Sequence, residues 1–291
     1  MPTDSALTTL PDAAQAHALG EAMEAMSAAP AGVGVFELED GSGLWEVGGY
    51  FTAPPDEVEL MLLAGAHGAR PFAVSELPEI DWVAKVRREL TPVEAGRFFV
   101  YGSHDADKLP ADRVGLLIEA AMAFGTGHHG TTKGCLLAFE RLLGDGHAPV
   151  RIADIGCGTA VLAMAAAHVL PTAEVIASDI DAVAVDVARA NLAANRLADR
   201  IACVEAEGFA HPSLAAAAPF DLIFANILKA PLIALAPDMA RHTARGGHVI
   251  LSGVLERQAD ELRAAYAAAG FTPLAEEHLE GWVSLTLRRA G

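Results

Sequence analysis

Asp154, Gly156, Gly158 and Asp179 stand at spacings that could hold the adenosine end of a cofactor. Arg151-Ile152-Ala153-Asp154-Ile155 reads as a short apolar strand, and Gly156-Cys157-Gly158 as a turn beyond it. Glycine has no Cβ, so the backbone can turn tightly there and a ligand can lie against it. Val161, Leu162, Ala165, Ala166 and Val169 recur at three- and four-residue steps, which predicts a helix stopped by Pro171. Glu174 to Ser178 reads as a second strand that ends on Asp179, whose carboxylate could accept hydrogen bonds from ribose hydroxyls. A βαβ unit of this kind binds its ligand at the carboxyl ends of its strands. A glycine turn without a ligand is the plain alternative.

Two cofactor types compete for this turn. A dinucleotide fingerprint is G-x-G-x-x-G, with an acid about 20 residues further on. The first two glycines are present, but Val161 occupies the third position. Asp154 completes D-x-G-x-G instead. That is the pattern of S-adenosylmethionine-dependent methyltransferases, whose cofactor has no pyrophosphate and no need of the third glycine.

Two further stretches could complete a site. Ala123-Phe124-Gly125-Thr126-Gly127-His128-His129-Gly130-Thr131-Thr132 is a loop of glycines and hydroxyls running into a helix that continues over 136–143. Backbone N–H groups at such a helix start could hold a carboxylate. His128 and His129 are adjacent, so on a helix they diverge by about 100°. No Cys or acid stands at ligand spacing from them, and no metal site is expected. Phe220 to Ala225 reads as a strand that delivers Asn226 to the same edge as Gly156 and Asp179. The Asn226 amide could accept N–H bonds from a neutral amine, or it could cap the helix that follows.

These residues need a scaffold. The chain has 291 residues, 52% of them hydrophobic and 20% charged, enough for one large or two ordinary folded domains. Its formal net charge is -18, and the first 100 residues hold 16 acids against 5 bases. That disfavours binding to nucleic acid phosphates, which calls for clustered positive charge, and favours basic partners or none. Three dispersed cysteines, with no Cys-x-x-Cys, suggest a reduced cytoplasmic protein rather than a disulfide framework. The start MPTDSALTTLPDAAQ has neither a positive patch nor an apolar run, so no signal peptide is expected. No stretch approaches the roughly 20 apolar residues of a membrane span.

Residues 1–78 read as strand, helix, two alternating strands, helix and strand, with Ala16, Leu19, Met23 and Met26 on one face of the first helix. That βαββαβ order predicts a small ferredoxin-like α+β domain. Residues 79–112 read as a linker: an amphipathic helix over 80–90, the strand Phe98 to Tyr101 and a polar loop. Residues 113–291 alternate strand and helix. Asp181 is an expected helix N-cap, and further helices are expected over 231–242 and 256–269. A fifth strand is expected from His248 after a Gly246-Gly247 turn, and a closing hairpin around Glu280-Gly281. The expected fold is α/β: a doubly wound, mostly parallel seven-stranded sheet with an antiparallel edge.

AFGTGHHGTT, DIGCGTAVLAMAAA, SDIDAVAVDVARANLAAN, DLIFANILKAPLIALAPDMA and GGHVILSGVLERQADEL resemble the PrmA family, bacterial methyltransferases of the stalk-base ribosomal protein L11. IDWVAKVRRELTPVEAGRFFV looks like that family's linker region. The family usually has proline where Gly130 stands and glycine where Ala160 stands. The resemblance implies a class I, Rossmann-like S-adenosylmethionine methyltransferase acting on amines of L11. It implies that Asp154, Gly156 and Gly158 shape the cofactor pocket and that Asp179 takes the ribose. Phe124, Thr126, Thr131 and Thr132 would lie near the methionine end, and Asn226 beside the sulfonium and the target nitrogen. A cytoplasmic monomer with a basic protein substrate, and with no membrane or direct nucleic acid contact, is the expectation. Another protein lysine or a small-molecule acceptor is the alternative.

Overall fold

The computed structural model describes residues 4–30, 32–38, 43–76, 92–118 and 129–291. Two compact units divide the chain, Met1–Lys85 and Val86–Gly291. The helix expected over 80–90 lies outside the described residues.

In the first unit the order is β1 (Asp4–Leu10), helix Ala13–Glu24, β2 (Gly32–Glu37), β3 (Trp45–Phe51), helix Glu57–His67 and β4 (Ala73–Glu76). The sheet runs β2-β3-β1-β4 with every neighbour antiparallel. Each helix starts on an aspartate that accepts first-turn N–H groups: Asp12 from Gln15 (2.8 Å), and Asp56 from Val58 and Glu59 (2.9 and 3.2 Å). The face Ala16, Leu19, Met23 and Met26 is buried against Ala6, Leu10, Val47 and Phe51, as its spacing predicts. Phe36 and Tyr50 point away from that core and are 62% and 40% exposed.

The second unit opens with a three-stranded sheet, β5 (Val93–Ala95), β6 (Phe98–Tyr101) and β7 (Val114–Leu117). Its main sheet holds β8 (Arg151–Ile155), β9 (Glu174–Asp179), β10 (Ile201–Glu205), β11 (Phe220–Asn226), β12 (Thr243–Leu255), β13 (Phe271–Leu279) and β14 (Trp282–Arg289). The order is β10-β9-β8-β11-β12-β14-β13, parallel except where β14 meets β12 and β13. Two buried clusters cover its faces. Helices His129–Gly144, Val161–Val169 and Ala182–Ala194 supply one, and helices Pro212–Ala217, Lys229–His242 and Ala259–Ala268 the other. Burial on both faces is why the parallel strands read as nearly continuous apolar runs.

The structure departs from the sequence-based expectations in three places. Phe98, expected in a linker, is wholly buried with its ring stacked on Phe139 (6.0 Å), so β6 belongs to the second unit's core. Gly246-Gly247 does not start a strand but makes an irregularity inside β12, with Gly246 at φ +74°. The register jumps there from Phe220↔Thr243 to Leu222↔His248. The helix expected over 256–269 splits into a 3-10 turn, Glu256–Gln258, and the helix Ala259–Ala268.

Candidate functional site

Chain order in the main sheet reverses between β8 and β11. From β8 the chain builds outward through β9 and β10, then returns to place β11 on β8's other side. A crevice opens at the carboxyl ends of strands flanking such a switch point, and ligands bind there. The predicted residues Asp154, Gly156 and Gly158 lie at the end of β8, Asp179 at the end of β9 and Asn226 at the end of β11.

The turn after β8 is shaped by left-handed backbone. Gly156 and Gly158 have φ of +70° and +52°. A Cβ on Gly156 would come within 2.3 Å of Ile227 Cγ2, so glycine is required there for space as well as for conformation. The N–H groups of Gly156 and Cys157 both donate to Ser178 O (2.8 and 2.9 Å). Gly158 N–H donates to Asp179 Oδ2 (2.9 Å), and Asp181 N–H to Asp179 Oδ1 (3.1 Å). Asp179 therefore fastens the turn, yet a carboxylate has about four acceptor sites and keeps some for a ligand. Ala160, at φ +62°, is a third left-handed residue at the point where the resembling family carries glycine.

Asp154 is buried, and its Oδ2 accepts the N–H of Ala163 (3.0 Å). Helix Val161–Val169 has no side-chain cap of its own at Ala160. Asp154 satisfies one of its orphan donors from below. Burial pushes the Asp154 carboxyl up to about 7, the Ala163 bond opposes that rise, and the nearby Asp179 charge adds to it.

Helix His129–Gly144 brings Thr131 and Thr132, both buried, to the same edge. Asn226 Nδ2 donates to Thr131 Oγ1 (3.3 Å). The helix after β11 begins at Lys229 with Leu228 as its cap residue, so Asn226 does not serve as its N-cap. Phe124, Thr126 and His128 lie outside the described residues. Among the described residues no three His, Cys, Asp or Glu side chains group as a metal site.

Asn191 and Asn195, which the sequence places on one helix face, matter here as well. Asn191 Nδ2 donates to Thr159 O (3.1 Å), which pins the end of the glycine turn to helix Ala182–Ala194. Asn195 pairs with Leu117 like one rung of a β-ladder, accepting its N–H (2.9 Å) and donating to its O (2.7 Å). Their four-residue spacing places both on one helix face, but only the fold shows what faces them. Ile180, Val183 and Leu228 are large apolar residues left exposed near the same strand ends.

A family model described as Ribosomal protein L11 methyltransferase (PrmA) matches residues 18–290. A Bradyrhizobium diazoefficiens protein named Ribosomal protein L11 methyltransferase is 47% identical over 265 residues, 90% of this chain and 88% of that one. A Brucella suis protein of the same name is 44% identical over 256 residues, covering 88% and 89%. The crystal structure of a ribosomal protein L11 methylase from Lactobacillus delbrueckii subsp. bulgaricus matches with a TM-score of 0.60 at 28% identity, over 69% of this chain and 98% of that chain.

Proposed function

The chain belongs to the ribosomal protein L11 methyltransferase family, and from that membership we propose that it methylates amines of L11 with S-adenosylmethionine. The proposed acceptors are lysine side chains, the terminal amine, or both, in the cytoplasm. The larger unit has the mostly parallel sheet of class I methyltransferases with an antiparallel edge. The observation that carries the reading is the Asn226 amide, fixed by Thr131 beside the D-x-G-x-G turn at the sheet's switch point.

The residues of the crevice fit S-adenosylmethionine. The glycine turn offers bare backbone, Asp179 retains acceptor sites for the ribose, and Ile180, Val183 and Leu228 offer apolar surface for a base. Thr131 and Thr132, with Phe124 and Thr126, are assigned to the methionine end. Bound there, the cofactor supplies an electrophilic methyl on a positive sulfonium.

The protein's own task is to hold a neutral amine in line with that methyl, about 3 Å away. A lysine amine has a pKa of about 10.4 and must shed a proton first. Burial beside positive charge disfavours its ammonium form. Because Asn226 Nδ2 donates to Thr131, its Oδ1 is the atom left to accept N–H from the acceptor and aim its lone pair. A carboxylate in that place would stabilise the ammonium and retain the proton.

We assign docking of the basic substrate to the acidic amino-terminal unit, whose strand order β2-β3-β1-β4 with two helices supports a ferredoxin-like domain. The solvent-facing Phe36 and Tyr50 sit in an acidic setting, which suits a basic protein better than a phosphate backbone. Among the described residues no helix is long and apolar enough to cross a membrane. The test is mass spectrometry of unmethylated ribosomal proteins incubated with the enzyme and S-adenosylmethionine. Mass gains in steps of one methyl on L11 are expected. Gains on another protein alone, with cofactor binding intact, would move the substrate elsewhere.

A further inference from the structure

Helix His129–Gly144 meets the sheet through three rungs on one of its faces. Thr131, Cys135 and Phe139 recur every four residues and so point the same way. Thr131 accepts from Asn226 at the end of β11. Phe139 packs edge-on against Phe224 on the same strand, with ring centroids 5.3 Å apart. Phe224 and Asn226 are two residues apart and share a face of the strand. The middle rung is polar. Ser252, level with Asn226 on β12, and Ser284 on β14 hold their hydroxyls 2.8 Å apart, and Cys135 Sγ interacts with both. Ser252 Oγ also donates to Val283 O (3.3 Å), which leaves Ser284 as donor within the pair.

All three side chains are essentially wholly buried. Small apolar residues would fill this space without needing partners. Polar groups in a dry core cost free energy unless they are satisfied, so a hydrogen-bonded cluster favours the one geometry that satisfies it. Gly134 adds an independent sign of close fit: a Cβ there would come within 2.3 Å of Ser284 Oγ.

We propose that Cys135, Ser252 and Ser284 are positioning residues, whose buried cluster sets the height of helix His129–Gly144 over β11 and so aims the Asn226 amide through Thr131. This rests on the methyl-transfer reading given above. The trio touches neither substrate nor cofactor in that reading and acts only through Thr131 and Asn226.

The test uses the full chain, with Ser252→Ala and Ser284→Ala made singly and in an Asn226→Ala background. Thermal midpoint, S-adenosylmethionine affinity, kcat and KM for L11 are read for each. Cofactor affinity is expected to stay within about twofold while kcat falls about tenfold, the sensitivity of a misaimed group. In the Asn226→Ala background neither substitution should lower kcat further, since the group they aim is gone. Cys135→Ser, which keeps a hydrogen-bonding group, should retain most turnover, and Cys135→Ala should behave like Ser252→Ala. Equal kcat losses in both backgrounds, or kcat and cofactor affinity falling together with the melting point, would overturn the assignment. If the parent enzyme transfers no methyl to L11, the substrate reading fails, and hydrogen exchange over 131–135 still decides this one. Faster exchange in Ser252→Ala supports it, and unchanged exchange overturns it.

Discussion

Replacing Asp154 by asparagine separates what this carboxylate costs the fold from what it does in the pocket. Its pKa rises from 3.8 to about 7, chiefly because burial penalises the charge. That rise corresponds to roughly 4 kcal/mol between its two protonation states. The folded-state value lies above the unfolded one, so the acid's contribution is fully present below about pH 4. It is lost as pH rises from there through about 7. Asparagine can still accept the Ala163 N–H through its side-chain oxygen, so the helix keeps its cap. Asp154→Asn should therefore be more stable than the parent at pH 8. Allowing for water entry and relaxation, a gain of about 2 kcal/mol, or roughly 4–8 °C in Tm, is the expectation for a unit of this size. The gap should narrow toward pH 4, where the folded parent's own carboxyl is neutral. Calorimetry of the ligand-free variant and parent from pH 4 to pH 8 measures it. A variant that melts lower at pH 8, or that keeps the parent's pH slope, would refute the view of Asp154 as a costly buried charge. The same carboxyl should make the parent's affinity for the cationic cofactor rise with pH through about 7, since positive charge nearby favours its ionised form.

Three further outcomes are expected. Ala160→Gly should stabilise the protein by about 1 kcal/mol, because alanine at φ +62° carries a left-handed penalty that outweighs glycine's entropy cost; a lower Tm would count against that backbone geometry. Gly156→Ala should abolish S-adenosylmethionine binding in calorimetric titration, because its Cβ meets Ile227 at 2.3 Å in a left-handed turn; parent-like affinity would contradict the assignment of the turn. Asn226→Ala should lower kcat by about 100-fold or more while cofactor affinity changes little, and equal loss of both would remove its proposed role in aiming the amine.

Much of the second unit was legible along the chain because its signals are local. Apolar runs and three- and four-residue steps located most of the main sheet's strands and helices. Asp181 caps its helix through Val183 N–H (2.8 Å), as its position before an apolar-periodic run predicts. Glu280-Gly281 turns the last hairpin with both residues at positive φ. The Gly246-Gly247 pair misled because glycines that mark a turn also permit an irregularity within a strand, and only the pairing of β11 with β12 distinguishes them.

By itself the sequence determined the βαβ unit, the glycine turn, the acids at its two ends and the strand that carries Asn226, since each depends on φ/ψ preference or periodicity within a few residues. Tertiary structure alone decided that Asp154 would be buried with its pKa raised, that Asn191 and Asn195 would bind the glycine turn and β7, and that Cys135, Ser252 and Ser284 would meet beneath Asn226. Cys135 and Ser284 lie about 150 residues apart in the sequence. What brings such groups together is sheet register and helix packing, which no short stretch of chain encodes.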